Sequence, residues 1–242
     1  MTVNTALISK IRQIVRCFET GKVVGANYGA LALFDDGPGN RKQITYGASQ
    51  TTEFGKLKIL LQMYIDAPGA KFAAEFRTYI SRIGDLSRPS LSGTPAFIQL
   101  LKDAAKDPVM QQTQDRFFNI HFFNPARAWA ELHGFNLPLS LLVIYDSHVH
   151  SGSMLDFLRN RFAERTPSRG GDEKKWIEAY VDARDAWLET HAKQLLRNTD
   201  YRTDSFIYNI RQDNWMLDKP FQIVNYIDAA EKTNPQFRQV IP

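Results

Sequence analysis

Apolar residues recur along most of this chain at helical spacing, and one stretch near its start breaks that rhythm. Leu7, Ile8, Ile11, Ile14, Val15 and Phe18 fall three and four apart, which puts them on one face of a helix. Gly21 follows as a natural stop. From Tyr28 to Phe34 the period drops to two, with Tyr28, Ala30, Ala32 and Phe34 on one side and Gly29, Leu31 and Leu33 on the other. The turn-forming run Asp35-Asp36-Gly37-Pro38-Gly39-Asn40 comes next, and residues 43–47 return as a second strand. This pattern predicts a β-hairpin.

Beyond Thr52 the spacing is helical almost to the end. Leu57, Leu60, Leu61, Met63 and Tyr64 predict one helix, stopped by Pro68-Gly69, and Phe72, Phe76, Tyr79 and Ile80 predict the next. Thr94 suits an N-cap ahead of Phe97, Leu100 and Leu101. Further helices are expected over residues 110–118, 126–132, 139–149, 155–162, 172–189 and 203–210, most of them separated by Pro or Gly. The most apolar run, residues 137–145, is about half the length of a membrane span and reads as a buried helix. The loops at 87–93 and 166–171 are too short for domain linkers. The expected fold is mainly α with a small β-hairpin. It forms a single catalytic domain over residues 1–242, with a small lobe at about 20–50 and a larger helical lobe for most of the rest.

Composition adds limits. With 242 residues, 43% of them hydrophobic, the chain can build one well-packed core or two lobes sharing a cleft. A net charge of +4 and a pI near 9.1 favour anionic partners through long-range attraction. The basic residues are scattered, however, with no Lys/Arg run and no interleaved aromatic platform, which argues against a nucleic-acid binder. Cys17 is the only cysteine, so there is no intrachain disulfide and no Cys/His zinc module. Within its apolar helical pattern it reads as a small buried hydrophobe. The first residues, Met-Thr-Val-Asn-Thr-Ala-Leu, lack the basic head and apolar run of a secretory signal. Either a leader has been removed or the protein reaches its substrate another way.

Glu19 and Asp36 carry the candidate chemistry. Glu19 falls in the last turn of the first helix, after Phe18, where the negative end of the helix dipole and apolar neighbours both disfavour charge. A carboxyl kept protonated near neutral pH is what a general acid needs. Asp36 sits at the expected hairpin tip, where the chain doubles back, and two carboxylates facing each other are the working parts of glycoside hydrolysis. Asp35 and Asp36 also suit a turn for local hydrogen-bonding reasons alone. Thr45, on the returning strand, offers a hydroxyl that can hold a water between the two acids.

The order Glu19, Tyr28, Asp36-Gly37 and Ile44-Thr45-Tyr46-Gly47 resembles the glycoside hydrolase family 46 chitosanases, members of the lysozyme-like superfamily. The likeness continues through Gln114-Asp115 with Phe122-Phe123-Asn124-Pro125-Ala126, then Tyr145-Asp146-Ser147-His148-Val149-His150-Ser151-Gly152. It goes on through Gly170-Gly171-Asp172-Glu173 and Asp182-Ala183-Arg184, and it covers roughly residues 19–217. The resemblance implies a lysozyme-like two-lobed fold with a substrate cleft between the lobes. It also implies an endo-acting, inverting mechanism in which Glu19 protonates the glycosidic oxygen and Asp36 activates a water held by Thr45. Behind the acid it implies a buried network of Arg184, Asp146 and Arg202. Tyr28 and His150 are expected to contact substrate. No cofactor and no metal are implied, and His148 and His150, two apart on a helix, point to different faces and do not readily share an ion.

Two departures from the family bear on function. The segment 37–43 separates Asp36 from Ile44 by more residues than the family usually has, which leaves Asp35 as the alternative base. Near Gly55, where the family commonly carries an aspartate, this chain has Lys56, with Glu53 one turn earlier as a replacement acid on the substrate. Lys56 and the basic pI suit an anionic or N-acetylated polymer. Chitosan is therefore the substrate expected by resemblance, and peptidoglycan, as for a phage lysin or an antibacterial effector, is the alternative. A non-catalytic glycan-binding module is a third reading. The protein is expected to be a monomer without membrane insertion that acts in an extracellular or periplasmic setting.

Overall fold

The structure is a computed structural model that describes residues 4–48, 50–228 and 231–242. Met1, Thr2 and Val3 of the N-terminal head discussed above, with Ser49, Ala229 and Ala230, lie outside the described residues. The chain divides into two compact units, one running from Glu19 to His121 and the other combining the chain up to Phe18 with Phe122–Pro242.

The 19–121 unit holds the expected hairpin. Strands β1 (Leu31–Gly37), β2 (Arg41–Tyr46) and a short β3 (Thr51–Thr52) form an antiparallel sheet in that order. The pairing runs from Leu31 opposite Tyr46 to Phe34 opposite Gln43, then resumes at Gly37 opposite Arg41. Asp35 and Asp36 therefore lie in a bulge facing Lys42, two residues against one. They are not at the tip: Pro38–Asn40 makes the turn, with Gly39 and Asn40 at positive φ. The turn chemistry is two residues further along than the sequence suggested, because the two aspartates are accommodated within the strand.

Four helices complete this unit: α2 (Leu57–Ile65), α3 (Ala73–Arg77), α4 (Pro95–Ala104) and α5 (Pro108–Phe118). Tyr64, Phe76 and Phe97 form an edge-to-face aromatic core, and the buried Tyr46 hydroxyl donates to the Leu101 carbonyl at 2.9 Å. Thr94 does precede α4, but its side chain makes no capping bond; Pro95 opens the helix instead. The base of the hairpin is clamped by α5. Gln114 Oε1 accepts from Ala48 N at 3.0 Å, its Nε2 donates to the Tyr28 carbonyl at 3.0 Å, and the Tyr28 hydroxyl donates to Asp115 at 2.9 Å. Gly47 has φ +90°, and a Cβ there would come within 2.7 Å of Gln114 Oε1, so the clamp requires glycine.

The other unit contains α1 (Thr5–Thr20) up to Phe18, with Ile11, Ile14, Val15 and Phe18 buried as the spacing predicts. It continues with α6 (Asn124–Leu132), α7 (Pro138–Ser151), α8 (Asp156–Arg159), α9 (Glu173–Glu189), α10 (Gln194–Arg197) and α11 (Tyr201–Arg211). Helix α7 is buried on every side from Pro138 to His148, which is why its sequence reads as an apolar run rather than a stripe. The predicted helix at 155–162 shrinks to the single turn of α8. Trp176 and Trp215 belong to the core.

The chain does not stay helical to its end. Strands β4 (Phe221–Asp228) and β5 (Thr233–Ile241) form an antiparallel hairpin. α11 holds its first strand: Asn209 brackets Gln222 through Nδ2 to O and Oδ1 from N, Val224 N donates to Ser205 Oγ at 3.0 Å, and Tyr226 N donates to Asp204 at 2.9 Å. Phe221, Ile223, Val224 and Tyr226 are buried, with a bulge at Ile223/Val224 that breaks the two-residue period and hides the strand from a periodicity reading.

Candidate active site

Glu19 occupies the last turn of α1 and is partly exposed. The residue before it is fixed firmly. The Tyr201 hydroxyl donates to the Phe18 carbonyl at 2.6 Å, and the Phe18 ring meets Tyr201, Phe206 and Phe221 edge-on. The Arg202 guanidinium lies 5.3 Å from the Phe18 ring centre. The backbone entering Glu19 is thereby held by side chains from α11 and β4.

On the hairpin, Asp36 is half-buried and Asp35 exposed. Asp36 Oδ1 accepts a 2.9 Å hydrogen bond from Gln43 Nε2. The Gln43 amide is itself oriented, since its Oε1 accepts from Phe54 N at 3.2 Å. Gln43 and Thr45 are two apart on β2 and share a face, so Thr45 lies on the side of the sheet to which Asp36 is tied. Thr45 is 4% exposed, and its Oγ1 is buried with no hydrogen-bond partner among the described residues. A carboxylate of fixed orientation, on the same sheet face as a buried hydroxyl with spare capacity, suits the handling of a polar reactant.

Three helices bring the expected charge network together. Asp146 of α7 is fully buried, with Oδ1 at 2.7 Å from Arg202 Nη1 and Oδ2 at 2.7 Å from Arg184 Nη1. The Arg202 contact is a hydrogen bond; the Arg184 contact is close but poorly aligned and is charge pairing only. One turn on, His150 is partly exposed, and burial, followed by the charges of Arg202 and Arg184, holds its pKa well below 6.5. It is a neutral imidazole at neutral pH. His148 is buried, with Nδ1 2.8 Å from the Ile144 carbonyl. No metal-ligating cluster occurs among the described residues.

Two expected residues fare differently. Lys56 stands at the start of α2, and its charge adds to burial in lowering the His121 pKa. Glu53 is 1% exposed and does not present an acid to solvent. Its carboxylate accepts from Leu91 N at 2.8 Å, Ser90 Oγ at 2.6 Å and Ile44 N at 3.3 Å, which ties the 86–93 loop to β2. The idea that it replaces a substrate-facing aspartate is corrected by that burial. Gln43 was not singled out from the sequence. Its signal is an amide one strand period before Thr45, on the same face.

The sequence model of glycosyl hydrolase family 46 matches residues 13–221. A chitosanase of Streptomyces sp. (strain N174) is 30% identical over 174 residues, 69% of this chain; the match spans 61% of that relative's length. A chitosanase of Bacillus subtilis (strain 168) is 24% identical over 227 residues, covering 88% of this chain and 80% of the relative. Among solved structures, the family 46 chitosanase of Gynuella sunshinyii in complex with chitotetraose superposes with a TM-score of 0.80 at 22% identity, covering 98% of each chain. A mutant chitosanase from Bacillus subtilis MY002 complexed with 6 GlcN gives 0.82 at 21% identity, covering 99% and 100%. At such identities the superpositions speak to the fold, which is mainly helical with a small hairpin in this chain as well.

Proposed function

The chain belongs to glycosyl hydrolase family 46, and on that premise we propose that it hydrolyses β-1,4-linked glucosamine polymer at internal bonds with inversion. Glu19 donates its proton to the glycosidic oxygen as the bond to the anomeric carbon breaks. A water attacks that carbon from the opposite face, and Asp36 takes the proton the water gives up. An inverting pair works with the carboxyls roughly 6.5–9.5 Å apart, which leaves room for the water. Thr45 positions that water, and Gln43 keeps one Asp36 oxygen engaged so that the other is free to face it. The observation that carries this reading is the Asp36–Gln43 hydrogen bond on the same strand face as the Thr45 hydroxyl, which has no partner among the described residues.

In this reading the Arg184–Asp146–Arg202 network acts at a distance: it sets Arg202 over the Phe18 ring and so fixes the end of α1 that carries Glu19. Tyr28 and the neutral His150 hydrogen-bond sugar hydroxyls. The two units act as one catalytic domain in a monomer. The reaction belongs to an extracellular or periplasmic setting, where such an amino-sugar polymer is met. No helix among the described residues is long and apolar enough to cross a membrane. The names of both curated relatives favour chitosan over peptidoglycan and over a non-catalytic module.

The test is reducing-end release from soluble chitosan and from purified peptidoglycan, each with wild type and Glu19→Gln. Cleavage of chitosan that is lost in Glu19→Gln is the expected result. Glu19-dependent cleavage of peptidoglycan alone overturns the substrate, and full activity in Glu19→Gln overturns the mechanism.

A further inference from the structure

Beside the hairpin, strand β2 and the 86–93 loop enclose an open recess of about 520 Å³. Arg41, Lys42 and Arg88 line it together with Ser87, Ser90 and Ser92, and no acidic residue among the described residues lines it. Lys42 makes no ion pair among the described residues, and Arg41 spends one N–H on the Leu86 carbonyl at 2.6 Å without meeting a carboxylate. Two acids border the recess: Asp85 has one oxygen taken by the backbone N–H and hydroxyl of Ser87 and the other 3.4 Å from Arg88 Nε, and the Glu53 carboxylate, behind the lining residue Ser90, accepts from its hydroxyl at 2.6 Å.

The walls are built rather than accidental. The buried Glu53 joins β2 to the loop through Ile44 N, Ser90 Oγ and Leu91 N, and Ser90 Oγ in turn accepts from Ser92 N at 2.9 Å. Ser92 Oγ points back to the Lys42 carbonyl at 3.5 Å, and Arg41 closes the far end. Three cations carried on a braced backbone frame match the needs of an oxyanion: concentrated positive charge and forked guanidinium donors.

We propose that the recess formed by Arg41, Lys42 and Arg88 is a binding site for an oxyanion, a phosphate or carboxylate group, separate from the Asp36 carboxylate. Lys42 and Ile44 alternate with Gln43 and Thr45 along β2, so the Lys42 side of the strand is the opposite one from the Gln43–Thr45 face. An anion held here leaves the carboxylate chemistry of Asp36 in place, and the inference does not depend on the hydrolytic reading.

The full chain is titrated with inorganic phosphate and followed by the amide NMR shifts of residues 86–93, with chloride at equal ionic strength as control. Saturable shifts with phosphate and not chloride are expected. Lys42→Gln/Arg88→Gln, both exposed, is expected to weaken binding about tenfold or more with the melting temperature unchanged. A non-saturating response, an equal response to chloride, or a variant that binds as well as wild type overturns the site. A carboxylated oligosaccharide, oligogalacturonate, distinguishes the source. Tighter binding than phosphate identifies an acidic glycan, and equal or weaker binding identifies a free oxyanion.

Discussion

Gln43 Nε2 donates to Asp36 Oδ1 at 2.9 Å while Gln43 Oε1 receives the Phe54 N–H at 3.2 Å, so the amide that orients the candidate base cannot flip without losing both bonds. A bulge allows chain slack, and this contact takes it up at Asp36. Gln43→Leu should lower kcat about ten- to hundredfold with little change in KM, since misplacing a reacting group costs rate rather than binding. Gln43→Glu puts a second carboxylate against Asp36, and like charges favour protonation. The acid limb of the pH–rate profile should then move to higher pH. An unchanged profile in Gln43→Glu and an unchanged kcat in Gln43→Leu would leave Gln43 with a packing role only.

Thr45→Val separates catalysis from stability by sign. The Thr45 hydroxyl is buried and unpartnered among the described residues, which is an unfavourable state in a folded protein. Replacing it with a methyl of nearly the same shape should leave the melting temperature unchanged or slightly raised, while kcat falls. A drop in both would mean that the hydroxyl serves the fold, and unchanged turnover would remove Thr45 from the reaction.

The helices with a clean three-and-four spacing were legible because one face of each is buried and the other wet, as in α1. The fully buried α7 was legible for the opposite reason, as an unbroken apolar run. What escaped depends on contacts distant in sequence. The β4–β5 hairpin is anchored by Ser205, Asp204 and Asn209 of α11, and nothing local announces that. Glu53 reads as a solvated acid in sequence because its three donors come from Ile44, Ser90 and Leu91. Asp35-Asp36 has the composition of a turn, yet a bulge absorbs the pair and the turn forms at Pro38–Asn40. Asp146 with Arg184 and Arg202 was reachable only through resemblance, since helical spacing alone does not say which buried charges meet.

Asp146→Asn should be strongly destabilising. It leaves two buried guanidiniums facing a neutral amide, and breaking a buried pair from one side costs about 3–5 kcal/mol. For a chain of this size the melting temperature should fall by about 10 °C. Arg184→Met in the same chain removes one of the stranded charges and should restore part of the loss, a coupling that a double-mutant cycle reads directly. Additive losses would show that Arg184, whose contact is poorly aligned, contributes no pairing energy.

The buried Lys232 ammonium meets Asp185 at 2.8 Å, Asp204 at 2.8 Å and Glu189 at 2.6 Å, pinning the β4–β5 turn region to α9 and α11. Burial alone would lower the Lys232 pKa, but its three carboxylates outweigh that and raise it. At Asp185 burial wins instead, pushing the carboxyl up to about 6 against its bonds to Lys232 and Thr203. An acid with a folded pKa above its unfolded one takes up its proton earlier when folded, so its contribution to stability falls as pH rises from about 4 to about 6. Lys232 stays charged throughout that window. Asp185→Asn keeps an acceptor for both partners and does not titrate, so the stability of wild type relative to the variant should fall by about 1–3 kcal/mol from pH 4 to pH 7. Chemical denaturation at the two pH values measures it. A difference that is flat with pH, or that rises, would mean that the Lys232 ammonium overcomes burial and keeps Asp185 ionised across the range.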